Sequence, residues 1–447
     1  MSRGEALAGR RVVVVSQRDT AHPLAGEAEY YLHQIALRWV AWGTRVTWLC
    51  TGTPASAANA LVDGIEVRRV RGPGGIYRWL AGGRFDAIVD ALGETAPPLA
   101  TLLGRRAPVV RVAHRIPRVA RRLSARGDAT TVALSTSAGH ELRRRHRVQG
   151  PIVVVPPGTD PVPGQAGRRA GDPTVVVVAP FQAEQRLDVL LDVLGSVAAH
   201  VPGLRVEIVG DGPEPPRVAR GTVTVHSGRA ADDALRRAWV TASAAETGVH
   251  GCAVLEAAAR GVPCVGLDVV GIRDLVRSGR TGWLAESTGD LGATMVTALT
   301  RLADADHASW VARQCQAWAG VFRWERSARL MASVVAGQLG AERFRLRGRG
   351  QRRQARPDIA TVATFPAGVV ADPAAALRAT DEVGVADGTV SLLLRGCDEV
   401  DAAGVVERLG VPDARLRLAD QEDLLVGPSD LPAVLVEQPE PGQETPV

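Results

Sequence analysis

Twice along this chain a block of four consecutive valines opens a train of apolar runs alternating with helix-patterned stretches. That repetition constrains the fold more than any other feature. The blocks are Val12–Val15 and Val175–Val178. A β-branched run with no polar alternation is the pattern of a strand covered on both faces. After the first block come Arg45 to Leu49, Ile65 to Arg68, Phe85 to Asp90, Pro108 to Ala113, Thr130 to Leu134 and Ile152 to Val155, with a helical pattern from Glu29 to Trp42. After the second come a helix over Arg186 to His200, a strand from Arg205 to Val209 and another at Val223 to Val225. Helices near Asp232 to Ala238 and Ala253 to Ala259, a strand from Pro263 to Leu267 and two further helices to about Gly337 complete the series.

Strands separated by helices imply right-handed βαβ crossovers and parallel sheets. The expected fold class is α/β. It comprises two Rossmann-like doubly wound domains over 1–160 and 161–340, facing a cleft at the carboxyl ends of their strands. The stretch Pro156 to Gly164, rich in Pro and Gly, reads as the linker between them. A third part follows. Seven arginines mark 341–356 as a solvated linker, 357–435 reads as a small α/β module, and 436–447 has the composition of a disordered tail. A length of 447 residues suits about three domains.

Composition removes several function classes. No apolar run approaches the ~18 residues of a membrane span, and Met1 to Arg10 lacks the apolar stretch of a secretory leader. The five cysteines, Cys50, Cys252, Cys264, Cys315 and Cys397, have neither disulfide-framework nor zinc spacing. The expectation is a protein of the reducing cytoplasm. No G-x-G-x-x-G follows Val15, which argues against dinucleotide binding. All 53 basic residues are arginine, against 48 acidic ones, for a net charge of +5. The absence of lysine reads as codon bias of a GC-rich genome.

The most specific text lies in the second half. Val254-Leu-Glu256-Ala-Ala-Ala-Arg-Gly261-Val-Pro263, then Gly271-Ile-Arg-Asp274-Leu-Val276 and Gly279-Arg-Thr-Gly282-Trp-Leu284, resembles the signature of GT-B-fold family 4 retaining glycosyltransferases. Gly210-Asp-Gly-Pro213, Gly228 to Asp232 and Phe322 to Ala328 match further family segments, the last being a helix that crosses back to the first domain. In the first domain His22-Pro-Leu-Ala-Gly26-Glu-Ala-Glu29 resembles the family's glycine loop. The resemblance spans most of 10–337, with a first domain shortened between His114 and Thr130.

It implies transfer of a sugar, with retention, from a nucleoside-diphosphate donor of UDP or GDP type, with no metal or other cofactor. Glu256 would accept the ribose hydroxyls, as a carboxylate in fixed geometry can. Gly26, at a helix start, would offer its backbone to the diphosphate, and Gly210 and Gly251 would join the donor site. His114, at a strand end, would face the transferred sugar. Plainer readings stand beside these: Glu256 as a first-turn acid favoured by the helix dipole, and His114 as a surface histidine.

The family pattern breaks around the diphosphate. Its arginine and lysine correspond here to Pro180 and Gln185, neither of which carries charge. Glu27 stands where a phosphate-facing glycine is expected, and the position of the family's first glutamate is Gly248. Glu246 reaches that register only with an insertion between Thr247 and Gly251. Arg186 and Arg273 are the candidate replacement cations, although one residue of offset turns a helical side chain by ~100°. Loss of such a clamp costs roughly 3 kcal/mol or more of transition-state stabilisation. The leading reading is therefore a glycosyltransferase with an unknown acceptor. Its rival is a catalytically degenerate relative that binds or scaffolds, for instance with an active homologous glycosyltransferase.

Arg115, Arg118, Arg121, Arg122 and Arg126, together with Arg143, Arg144, Arg145 and Arg147, suit either peripheral contact with an anionic membrane or the solvated face of an amphipathic helix. Aromatics make up 4% of the chain and none interleave with these arginines, which argues against nucleic acid. The stretch Asp381 to Ala403 resembles the hairpin and helix of a diguanylate cyclase domain but lacks the Gly-Gly-Asp-Glu-Phe turn. It implies a regulatory or interaction module and no cyclase chemistry.

Overall fold

The computed structural model describes residues 6–53, 56–92, 107–114, 129–148, 150–162, 169–212, 216, 223–246, 251–346, 360–377 and 381–427. The first lobe is built on β1 (Arg11–Ser16), β2 (Arg45–Thr51), β3 (Asn59–Val62), β4 (Ile65–Val70), β5 (Ala87–Ala91), β6 (Val109–Ala113), β7 (Thr131–Ala133) and β8 (Ile152–Val154). Its helices are α1 (Glu27–Ala41), α2 (Gly72–Gly82) and α3 (Thr136–Arg144). The sheet order is β3-β4-β2-β1-β5-β6-β7-β8, parallel throughout except where β3 returns antiparallel on β4.

The second lobe has β9 (Thr174–Val178), β10 (Arg205–Val209), β11 (Val223–His226), β12 (Val240–Ser243), β13 (Cys264–Leu267) and β14 (Gly282–Ala285). Its helices are α4 (Leu187–Ala198), α5 (Ala231–Arg237), α6 (Cys252–Ala259), α7 (Ile272–Leu275), α8 (Leu291–Leu302), α9 (Ala305–Ala319) and α10 (Trp324–Leu346). The order β11-β10-β9-β12-β13-β14 reverses direction at β9, so a crevice opens between the ends of β9 and β12.

The valine blocks explain both sheets. Val12 and Val14 enter the core shared with α1 and α10, whereas Val13 and Val15 enter the core beneath α2. Likewise Val175 and Val177 face one layer of the second lobe and Val176 the other. With both faces covered, each valine contributes on the order of 1.5–3 kcal/mol.

The expected interdomain linker is not a free tether. Pro156 to Thr159 are buried against the start of α10. Ser327 Oγ donates to Pro156 O at 2.7 Å, and a Cβ on Gly158 would sit 2.5 Å from Trp324 N. Helix α10 crosses back onto the first lobe, where Trp39 Nε1 donates to Ala328 O at 3.0 Å and Tyr30 meets Trp324 edge-on at 5.8 Å. This helix continues through Leu346, so the first residues of the expected arginine linker are helical. The rest of that linker, the expected tail and the arginines of 115–128 lie outside the described residues.

The third part is an antiparallel sheet of β15 (Ala360–Pro366), β16 (Glu382–Ala386), β17 (Thr389–Arg395) and β18 (Arg415–Leu418), in the order β16-β17-β15-β18. It carries α11 (Glu399–Arg408) and α12 (Gln421–Val426). Asp387 and Gly388, at φ +48° and +71°, make the two-residue turn between β16 and β17.

Candidate active site between the lobes

The crevice at the ends of β9 and β12 is lined by Val177, Ala179, Gln185, Thr241, Ser243 and Ala253, and it is bounded from the opposite lobe by Glu27. Glu27 begins α1. Its Oε1 accepts the Ala253 N–H at 3.2 Å, and the N–H groups of Gly251 and Cys252 face the same carboxylate. The start of α6 is thus filled by an acid from the other lobe. Burial pushes the Glu27 carboxyl above its usual range, and nearby Glu256 pushes it further, against those backbone N–H groups.

Glu256 sits one turn along α6 and faces Tyr30 of α1, whose phenol is its hydrogen-bonding neighbour. Burial raises the Glu256 carboxyl, and Tyr30 and Arg260 oppose that rise. The Tyr30 phenol is itself pushed up by burial and by Glu256, so it stays protonated and donates.

Arg186 and Glu246 come together. Arg186 caps α4 in the left-handed region, at φ +49°, rather than standing in the helix's first turn. Its guanidinium reaches Glu246 Oε1 at 2.5 Å and Asp188 at 3.9 Å. The pair joins the loops that carry Gln185 and Ala245 into the crevice. The stretch 247–250, where the family's first glutamate is expected, lies outside the described residues.

The other expected residues are placed as follows. The Gly26 N–H donates to Glu29 Oε2 at 2.9 Å, so this backbone group, expected to meet phosphate, is already engaged inside α1's own first turn. The same loop touches the second lobe through Gln182 Nε2, which donates to Leu24 O at 3.2 Å. Gly210 has a packing reason: a Cβ there would lie 1.9 Å from Ala179 O. Gly251 combines φ +61° with a would-be Cβ 2.3 Å from Leu275 Cδ1, so only glycine starts α6 here without strain. Arg273 pairs with Asp268 at 3.0 Å and is half-exposed. His114 stands directly after β6, two strands from the switch strand β1.

Three residues at the seam carried no assigned role in the sequence: Tyr30, Gln182 and Asp274. Asp274, nearly buried on α7, accepts from Thr136 Oγ1 at 2.6 Å, from the Ser137 N–H at 3.1 Å and from Ser137 Oγ. It caps α3 of the first lobe. Tyr30 had one usable signal, because three residues after Glu27 it shares a helix face with it.

Two facing Rossmann-like lobes with a helix that crosses back from the second to the first define a GT-B protein. Residues 28–162 match the family described as Glycosyltransferase Family 4, and residues 172–304 match Glycosyl transferases group 1. Each lobe thus matches a glycosyltransferase family over most of its length.

The chain is 28% identical over 274 residues to the D-inositol 3-phosphate glycosyltransferase of Rhodococcus erythropolis, covering 49% of this chain and 60% of that protein. Among solved structures it resembles sucrose-phosphate synthase from Thermosynechococcus elongatus, with TM-score 0.59, 16% identity, and 75% of this chain and 100% of that one covered. It also resembles the pneumococcal O-GlcNAc transferase solved in complex with UDP and GlcNAc, with TM-score 0.57, 10% identity, and 74% and 99% covered.

Proposed function

We propose that the protein transfers a sugar, with retention of configuration, from a UDP or GDP donor to an acceptor, and that it does so without a metal. The observation that carries this reading is the placing of Glu256. It projects from the helix beside the switch-point crevice, at the seam of the lobes, where a carboxylate can take two ribose hydroxyls. A structural relative solved with UDP and GlcNAc supports a nucleotide donor of this kind.

Arg186 supplies the cation for the leaving diphosphate. It stands beside Gln185 at the crevice rim, and Glu246 neutralises it while no donor is bound. Charge at that point matters because such transfers are accelerated mainly by stabilising developing negative charge. Exposed Arg144, Arg145 and Arg147, at and beyond the end of α3, belong to a basic surface suited to peripheral contact with an anionic membrane.

Calorimetric titration with UDP and GDP tests the reading, followed by an assay of donor hydrolysis. One nucleotide binds the wild type, and Glu256→Ala weakens it by about tenfold or more. Failure of the wild type to bind either nucleotide overturns the proposal.

A further inference from the structure

The first turn of α1 crosses the seam with two groups at once, Glu27 lining the crevice and Tyr30 packing on Glu256 beside it. The Glu27 carboxylate sits on the backbone N–H groups that start α6, and the Tyr30 phenol sits on Glu256. A carboxylate on a helix start and a hydroxyl on a carboxylate are the contacts that a phosphate and a ribose hydroxyl would themselves make. The seam is fastened a second time in the opposite sense, because Asp274 of the second lobe fills the start of α3 in the first. Each lobe therefore caps a helix of the other, and Gln182 to Leu24 closes the loop between them.

We infer that the first turn of α1 is a built-in plug of the donor crevice, with Glu27 and Tyr30 as the residues that decide donor admission. A nucleotide enters only as these two side chains withdraw. The inference rests on the donor reading above for what enters, but the plug itself is a property of the free protein and is measured there.

The test uses the full chain as wild type, Glu27→Ala and the near-isosteric Tyr30→Phe. Backbone amide exchange over 251–259 is read without ligand, and UDP is then titrated by calorimetry. Glu27→Ala speeds exchange at Ala253 by about tenfold or more and tightens UDP by about tenfold, while Tyr30→Phe moves both in the same direction by less. Unchanged exchange in both variants overturns the plug. So does faster exchange with no gain in affinity over a wild type that binds UDP. Faster exchange in variants that, like the wild type, bind neither UDP nor GDP supports the plug and overturns the donor reading instead.

Discussion

Glu256, on α6 at the seam of the lobes, is held by the Tyr30 phenol of α1. The sequence singles it out because it lies inside a specific string, whereas its neighbour Tyr30 is 226 positions away and meets it only across the lobe seam. Burial raises the Glu256 carboxyl above its ordinary value, so folding favours the protonated form. The stability this group contributes is fully present below the ordinary carboxylate pKa of about 4.3 and is lost as pH rises through the higher folded value. Glu256→Gln removes that dependence. Thermal melts will show no difference from wild type near pH ~4 and a higher melting temperature for the variant at pH ~8. A second residue-scale outcome concerns Gly251, whose φ of +61° and would-be contact with Leu275 Cδ1 are invisible in the string that follows it. Gly251→Ala will cost about 1–3 kcal/mol in denaturant unfolding, since the left-handed conformation and the contact both resist a Cβ.

At the scale of elements, legibility followed length and branching. The valine strands β1 and β9 read directly, because burial on both faces leaves no alternative pattern. Strand β12, Val-Thr-Ala-Ser, and strand β14, Gly-Trp-Leu-Ala, were missed: each is short, and small residues make up half of each. Helix α2 hid behind Gly-Pro-Gly-Gly, whose glycines argue for a turn although its proline suits a helix start. Helix α3 shows in the sequence only through the arginines at its end, and its N-terminal cap explains part of its stability. Ser135 Oγ accepts the Ala138 N–H at 3.1 Å, while Asp274 from the other lobe accepts the Ser137 N–H at 3.1 Å. Removing that carboxylate strands two hydroxyls and one N–H at a nearly buried place. Asp274→Ala will therefore lower unfolding free energy by about 2–3 kcal/mol, the range for hydrogen bonds to a charged group. Asp274→Asn, which still accepts, will cost less by the same measurement.

At the scale of the whole molecule, a buried charge cluster that no local pattern announces ties the third part to the crossing helix. Arg326, on the crossing helix α10, reaches Glu382 of β16 at 2.9 Å, and Arg395 of β17 reaches the same carboxylate at 2.6 Å. Arg326 also donates to Leu425 O of α12 at 2.7 Å, and the Leu425 side chain joins Leu275, Trp318 and Phe322 in one core. Because α12 also touches α3, the third part bears on both lobes at their seam. Strand and helix patterns give the expectation of a small α/β unit here. Its docking depends on three residues brought together from positions 326, 382 and 395, which no local pattern relates. Burial alone would push Glu382 upward, yet the two guanidinium groups hold it below its usual value. Its contribution to stability is therefore present above the ordinary carboxylate pKa of about 4.3 and is lost as pH falls through the lower folded value. Glu382→Ala leaves two buried guanidinium groups without their shared partner, which costs about 3–5 kcal/mol. Glu382→Gln will cost less, and its deficit in denaturant unfolding will shrink as pH drops below ~4 because the wild type then loses the same charge. Amide exchange will separate undocking from general unfolding. In Glu382→Ala, protection falls first over β16, α12 and the start of α3, whereas the central strands β1 and β9 keep theirs. Equal loss everywhere would mean that the third part does not bear on the seam at all.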